Sequence, residues 1–350
     1  MQFEHYEMAD RNSPFRRNMP EFRQNRATKE WVIIAPGRGK RPSDFAKERV
    51  KRPSPPPYRQ DCPFCPGNEK MTPEPVYMIP NDGAWKMRVV PNKFAALQPD
   101  LGVTRTYEGN FLAAKGFGIA EVVIEAPEHN KNIPDMGIEE MARIVNAYRQ
   151  RHQEISKNER INLVTIFRNY GPLAGTSLEH PHSQIIATPI VPPHVRYPIE
   201  QSILHYDKYG TCVYCDTLDD ELHQKERIII ESDNFVAFCP WAARTPFESR
   251  IYPKRHMASF VSINNDEIDE LAWVLQRLIS KISKCLDDPD YNYVIRSSPA
   301  GEESARYLHW YIVMIPKITT PAGFEIGSGI YINSVAPEDS ARFLRETEIA

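Results

Sequence analysis

The sequence predicts a mixed strand-and-helix fold made of two matching halves fused in one chain, on three observations. The same order of motifs occurs twice: a Cys-x-x-Cys pair, strand-like runs leading to a His, an amphipathic helix, a strand, and a second strand led by a His. The equivalent histidines keep nearly constant offsets, His129 and His256 lying 127 residues apart and His180 and His309 129. Between the strand-like runs, residues 138–157 place Met141, Ile144, Val145 and Tyr148 at helical spacing, and residues 267–285 form a second amphipathic segment.

Taken in order, residues 1–25 are polar, rich in Arg and Asn and without periodicity, which predicts a mobile N-terminal arm. Residues 31–36 read as a strand, followed by the basic loop Gly37-Arg38-Gly39-Lys40-Arg41-Pro42. That loop is either a solvated surface or a phosphate clamp, since Arg presents a planar fork to phosphate oxygens. The proline-rich stretch 53–57 predicts an extended linker. Asp61-Cys62-Pro63-Phe64-Cys65-Pro66-Gly67-Asn68 has the form of a metal knuckle, with Pro and Gly fixing the turn between two thiolates. A redox pair would need a helix beginning at the first Cys. Pro63 and the Pro66-Gly67 turn oppose that helix. Residues 86–90 and 119–126 read as strands, the second leading to His129. After the helix come a strand at 161–167, a turn at 168–179 and a strand at 180–187.

In the second half, Cys212 and Cys215 match Cys62 and Cys65, and residues 234–238 and 249–256 match the strands that end at His129. Residues 291–296 match 161–167, and 309–316 match 180–189. Each half therefore supplies two Cys, one His before its helix and one His opening its last strand. The two sets are Cys62, Cys65, His129 and His180, and Cys212, Cys215, His256 and His309. Mixed thiolate and imidazole ligands in a tetrahedral count favour zinc, which predicts two zinc sites per chain. Cys239 and Cys285 read as small buried hydrophobes.

The chemistry is predicted in the first half. Gly175-Thr176-Ser177-Leu178-Glu179-His180-Pro181-His182-Ser183-Gln184 places His180, His182 and Gln184 two residues apart, hence on one face of a strand. Imidazole accepts a phosphoryl group at neutral pH without a second base. The hydroxyls and backbone N–H groups of the Gly-Thr-Ser turn suit phosphate oxygens, and an amide two residues further on can donate to the developing charge. In the second half the positions equivalent to His182 and Gln184 are Tyr311 and Val313. His182 is therefore read as the reactive residue and His180 as the ligand that fixes the strand.

Composition bounds these readings. At 350 residues, 41% hydrophobic and 25% charged, the chain has the make-up of a soluble globular protein of one large fold or two domains. A net charge of -3 opposes non-specific nucleic-acid binding, and no apolar run approaches a membrane span. The first residues lack the apolar core of a signal peptide, which predicts a cytoplasmic protein whose cysteines are not in disulfides. The 31 prolines imply fixed turns in preference to long helices.

These residues together resemble the galactose-1-phosphate uridylyltransferase branch of the histidine-triad superfamily, over nearly the whole chain. The likeness rests on residues 31–42, the Cys62/Cys65 pair, Arg88 to Leu97, Phe167-Arg168-Asn169-Tyr170-Gly171, Gly175-Thr176-Ser177 and the histidine motif. It implies an α+β fold of two fused histidine-triad units sharing a largely antiparallel sheet flanked by helices, with a catalytic half at 26–195 and a second half at 196–350. It implies a homodimer acting on a nucleotide sugar and a sugar 1-phosphate through a covalent nucleotidyl-His182. Gln184, Ser177, Thr176 and Gly175 then surround the phosphates, with Arg38 and Arg41 as phosphate-binding arginines. By the same likeness Asn92, Phe94 and Asn169 match positions that contact the nucleotide, and Phe324 and Glu325 match a hexose-recognition segment. The second Cys2His2 set, the Ser at position 183 and the Gly323-Phe324-Glu325-Ile326-Gly327 ending look more like the plant relative, ADP-glucose phosphorylase. Two rivals stand beside a transferase: a nucleotide hydrolase with Glu179 or His194 assisting water, and a zinc-stapled nucleic-acid-binding module.

Overall fold

The computed structural model describes residues 19–36 and 54–349. The chain begins with β1 (Glu21–Gln24) and β2 (Trp31–Ile34), then β3 (Tyr77–Asn81) and β4 (Ala84–Pro91). A hairpin of β5 (Arg105–Glu108) and β6 (Phe111–Ala114) precedes β7 (Ile119–Ile124), helix α1 (Ile138–Ser156), β8 (Leu163–Tyr170) and β9 (His182–Thr188). Helices α2 (Pro193–Tyr209) and α3 (Val213–Gln224) then lead to β10 (Ile228–Glu231), β11 (Phe235–Phe238) and β12 (Ser249–Pro253). The chain closes with α4 (Asn265–Cys285), β13 (Tyr291–Arg296), β14 (Tyr311–Pro316), α5 (Gly323–Ser328), β15 (Tyr331–Asn333) and α6 (Pro337–Glu346).

Ten strands form one sheet in the order β10-β11-β12-β14-β13-β8-β9-β7-β4-β3, with every neighbouring pair antiparallel. The two parts of the chain meet at the centre, where β8 pairs β13 in the register Ile166↔Ile295 and Asn169↔Asn292. Reading outwards from that seam, β9, β7 and β4 on one side answer β14, β12 and β11 on the other. A separate three-stranded sheet joins β15 to β2 in parallel and β2 to β1 antiparallel.

The two long helices lie side by side on one face of the large sheet. α1 buries Met141, Ile144, Val145, Tyr148, His152 and Ile155, the spacing of a single apolar stripe, and its first turn is closed by Glu140 accepting from the Gly137 N–H at 2.9 Å. α4 starts in a reciprocal capping box, Asn264 Oδ1 accepting from Glu267 N at 2.9 Å and Glu267 Oε2 from Asn264 N at 2.8 Å. Its buried stripe, from Ile268 through Leu271, Leu275, Leu278 and Ile282, joins one core with Val123, Ile185, Tyr293 and Ile312 of the strands. The opposite face of the sheet carries the residues developed below. Among the described residues no helix is long and apolar enough to cross a membrane.

The expected strands and both long helices are present with ends moved by a few residues, β9 opening at His182 instead of His180 and β14 at Tyr311 instead of His309. Two expectations are corrected. The predicted arm of residues 1–25 overruns its end, because Glu21–Gln24 pair with β2 and Arg23 is buried in ion contact with Glu338 at 2.9 Å. The proline content does not preclude long helices: α2 runs for 17 residues with Pro193 in its first turn, where no intrahelical N–H is needed, and continues through Pro198 inside it. The helices α2, α3 and α6 and the strand β15 lie beyond the sequence reading. We expect Leu278→Ala, at a fully buried position, to cost about 2–5 kcal/mol in denaturant unfolding, and Lys284→Ala, on the exposed side of the same helix, less than about 0.5 kcal/mol.

Candidate active site and metal-binding sets

The Pro63 and Pro66-Gly67 turns hold Cys62 and Cys65 against the open face of β4, β7 and β9, where Phe64, Trp85, Val90, Val122 and Ile124 form a small core of their own. The ligand atoms of Cys62, Cys65, His129 and His180 all lie within 4.8 Å of one another, and all four residues are buried. Cys65 Sγ is 3.5 Å from His129 Nδ1 and 3.7 Å from His180 Nδ1. His180 Nε2 donates to the Ala126 carbonyl at 2.8 Å, which fixes the tautomer and leaves Nδ1 as the ligand nitrogen. Burial pushes the His180 pKa down to about 4, so the imidazole is neutral at physiological pH, as a ligand must be.

The second set repeats this design on different local structure. Cys212, Cys215, His256 and His309 also gather their ligand atoms within 4.8 Å, with Cys215 Sγ at 3.3 Å from His256 Nδ1 and 3.5 Å from His309 Nδ1. His309 Nε2 donates to the Pro253 carbonyl at 3.0 Å, and His256 Nε2 to Ala305 at 3.2 Å. Here the Cys pair opens helix α3, with Cys212 at its N-cap, whereas the first pair sits in a proline-fixed turn. Residues of both sets thus fit a tetrahedral thiolate–imidazole ion.

β9 alternates cleanly. Ser183, Ile185 and Ala187 are buried on the helix side, and His182, Gln184 and Ile186 share the other face. His182 Nδ1 donates to the His180 carbonyl at 2.8 Å, leaving Nε2 with its lone pair and no hydrogen-bond partner among the described residues. Burial holds the His182 pKa below the usual imidazole value, so this nitrogen is unprotonated at neutral pH. The residue lines a cleft of about 640 Å³, together with Asn169, Thr176, Ser177 and Glu179. Phe64 closes one side, its ring 5.4 Å from that of His182. The wall is a glycine-built turn: Gly171 and Gly175 have φ of +85° and +87°, conformations that favour glycine. Thr176 Oγ1 donates to Leu178 O at 3.1 Å, and Asn169 Oδ1 accepts from Asn292 Nδ2 at 2.7 Å across the seam between β8 and β13.

The expected site residues divide into three groups. His182, Ser177, Thr176 and Asn169 come together in the cleft, with Gly175 in the turn beside it. Gln184 follows on the same face of β9, opposite Val122 and Phe167, one step beyond the cleft lining. Asn92 and Phe94 lie past the end of β4, where Asn92 Oδ1 accepts from Phe94 N at 3.0 Å and the Phe94 ring is 87% exposed. Phe324 and Glu325 form the short helix α5 and do not line the cleft of their own chain. His194 lines a different cavity, whereas Glu179 stands at the cleft mouth, 3.6 Å from Arg59 and 3.9 Å from His129. Arg38 and Arg41 lie outside the described residues.

Behind β9 is a polar network that the sequence reading missed. Tyr148 Oη on α1 donates to Ser183 Oγ at 2.6 Å and contacts Tyr293 Oη at 2.7 Å. Arg168 Nε donates to Glu125 at 3.0 Å and its Nη1 to Tyr291 Oη at 2.6 Å, with both members of the ion pair essentially without exposure. Alternation in β8 was the available signal, because it turns Arg168 to the core side between Phe167 and Asn169.

Comparison with known proteins follows this geometry. The family model for galactose-1-phosphate uridyl transferase, N-terminal domain, matches residues 7–192, and a model for a domain of unknown function (DUF4921) matches 134–346. ADP-glucose phosphorylase of Arabidopsis thaliana is 37% identical over 94% of this chain and 93% of its own. Galactose-1-phosphate uridylyltransferase of Thermotoga maritima is 30% identical over 95% of this chain and 99% of its own. Among solved structures, the Arabidopsis ADP-glucose phosphorylase with bound ADP-glucose superposes with a TM-score of 0.80 at 34% identity, over 95% of this chain and all of that one. A structure of a uridylyltransferase gives 0.73 at 25% identity, over 93% of this chain and 97% of that one.

Glu125→Ala leaves the Arg168 guanidinium buried beside no carboxylate, and we expect it to lower unfolding free energy by about 3–5 kcal/mol in urea titration. A Glu125→Met/Arg168→Met double variant is expected to recover most of that loss, since no unpaired charge remains.

Proposed function

The chain belongs to the galactose-1-phosphate uridylyltransferase family and is a nucleotidyltransferase, and from that premise we propose that it moves a uridylyl group between hexose 1-phosphates through a covalent nucleotidyl-His182. The observation that carries the proposal is the unpaired Nε2 of His182 at the wall of the cleft, its Nδ1–H held by the His180 carbonyl. In the first step Nε2 attacks the α-phosphorus of UDP-glucose. The P–N bond forms as the P–O bond to glucose 1-phosphate breaks, and glucose 1-phosphate leaves. In the second step a phosphate oxygen of galactose 1-phosphate attacks the same phosphorus and breaks the P–N bond, giving UDP-galactose and free His182. The Nδ1–H···O=C bond supports the positive charge that the ring carries while Nε2 is substituted.

On this reading Ser177, Thr176 and the Gly175 turn receive the phosphates, and Gln184 donates to non-bridging oxygens as charge develops on them. Arg38 and Arg41 add positive charge to the phosphates, while Asn92, Phe94 and Asn169 take the nucleoside. Phe324 and Glu325 serve the hexose. Because these two do not line the cleft of their own chain, the reading includes a homodimer in which a second copy brings α5 to the cleft. The mirrored strand order about the β8/β13 seam supports two fused histidine-triad units, residues 26–195 and 196–350.

Both Cys2His2 sets are assigned to structural zinc. The ion would be held by Cys62, Cys65, His129 and His180 in one half and by Cys212, Cys215, His256 and His309 in the other. It supplies rigidity, not a reacting group: a fully protein-ligated tetrahedral site leaves no open position for substrate. His180→Ala is expected to reduce zinc from two to one per chain in elemental analysis, and an unaltered zinc content would refute the assignment.

A second reading is favoured by the higher identity and TM-score of the Arabidopsis enzyme: adenylyl transfer from ADP-glucose to inorganic phosphate through the same histidine. Intact-mass spectrometry after brief exposure to UDP-glucose or to ADP-glucose separates the two. The proposal expects a uridylyl adduct from UDP-glucose, mapping to His182 and absent from His182→Gly. An adenylyl adduct from ADP-glucose alone moves the assignment to the second reading, and no adduct from either ends both.

A further inference from the structure

The sheet has a second cavity, on the face that carries the cleft but in the other half. It encloses about 440 Å³ between β14, β13 and the start of α2, in the size range of small-molecule sites. Its floor is Tyr311, Val313 and Ile315. Tyr311 opens β14 two residues after His309, just as His182 opens β9 two residues after His180. The cavity therefore begins beside a residue that stands where the reactive imidazole stands in the other half.

Its charges are not balanced. Three arginines line it, Arg244, Arg250 and Arg296. Arg244 is paired with Glu30, and Arg250 Nη2 is 3.4 Å from Glu248. Arg296 has neither hydrogen bond nor ion pair among the described residues. Three polar atoms in the same lining are buried without partners: Ser298 Oγ, Arg250 Nε and Thr245 Oγ1, Ser298 being only 6% exposed. Buried polar groups are nearly always paired, so donors gathered unpaired around one cavity point to an acceptor that completes them. Burial and the neighbouring Arg296 and Arg244 depress the pKa of His194 at the rim, as expected where positive charge is in excess.

We propose that this cavity is a second, non-catalytic site for a nucleoside phosphate, whose phosphate is held by Arg296, Arg250 and the Ser298 hydroxyl and whose base lies over Val313, Ile315 and Tyr331. Guanidinium forks match phosphate oxygens, and the apolar floor suits a planar base. The phenol of Tyr311 offers no imidazole lone pair, so the site holds its ligand without cleaving it.

Binding stoichiometry tests this apart from any turnover at His182. UMP and AMP are titrated separately by isothermal calorimetry into the intact wild-type chain and into Arg296→Gln, Ser298→Ala and His182→Gly. The expected result is two sites per chain for at least one nucleotide. Arg296→Gln weakens one of them by about tenfold or more and leaves the other, and His182→Gly leaves the Arg296-dependent site in place. Ser298→Ala removes only an unpartnered hydroxyl, so it keeps the wild-type melting temperature while weakening the same site. A single site per chain in the wild type for both nucleotides, or two sites indifferent to Arg296→Gln and Ser298→Ala, overturns the proposal.

Discussion

His180 is fixed at three points, and the placing of the His182 ring depends on all three. Its Nδ1 faces Cys65, its Nε2 donates to the Ala126 carbonyl at the end of β7, and its own carbonyl accepts from His182 Nδ1. The first two contacts hold the ring between a cysteine turn and a strand end. The third passes that constraint to the neighbouring ring, because a carbonyl oxygen can only accept and so assigns the proton of His182 to Nδ1. A free imidazole exchanges its two tautomers readily. Here one hydrogen bond keeps Nε2 as the nitrogen with the free lone pair, the one the proposed reading makes the nucleophile, and the position of that bond is set by the Cys/His cluster.

The other face of β9 is held by a different kind of contact. Ser183, between His182 and Gln184, points to the helices, where Tyr148 and Tyr293 engage its hydroxyl. Glu125, Arg168 and Tyr291 tie β7, β8 and β13 together beneath it. An ion pair this deep recovers little against the cost of desolvating both charges, so its contribution is better read as placement than as net stability. The pair locks the register of strands in the first half, and the Tyr291 bond extends the lock across the seam to the second. Ser183, one residue from His182, is thereby connected to both halves.

The sequence revealed what depends on short-range pattern. Alternation put His182 and Gln184 on one face, helical spacing outlined α1 and α4, and the doubled Cys/His order anticipated two clusters whose atoms do converge. It did not reveal what depends on which side of an element meets a neighbour. Cys212 and Cys62 read alike, yet one caps a helix and the other sits in a turn, because the Pro66-Gly67 step, with Gly67 at φ +88°, stops the helix that continues past Cys215. No local pattern announces the helix at residues 193–209, because it carries Pro193 at its start and Pro198 inside it. Glu325 and Phe324 came from family likeness alone, and no local pattern states which cleft a short surface helix serves.

The two halves differ around His182 and Tyr311 by more than one side chain. Tyr311 is packed among aromatic rings, 5.0 Å from Tyr252 and 5.6 Å from Tyr214, with the Arg250 guanidinium 5.4 Å from its centroid. Among the described residues His182 has a single aromatic ring contact, to Phe64, and its other side opens on the cleft. An imidazole set in place of Tyr311 would meet the Arg250 guanidinium beside its ring, although the turn ahead of β14 also carries a positive-φ glycine, Gly301 at +86°, as the turn ahead of β9 carries Gly171 and Gly175. The Cys/His cluster is therefore separable from what the next strand position can do. It stands two residues ahead of β9 and of β14 alike, and on the proposed reading the residue at that position acts as a nucleophile only where it is an imidazole with an unpaired ring nitrogen at the cleft.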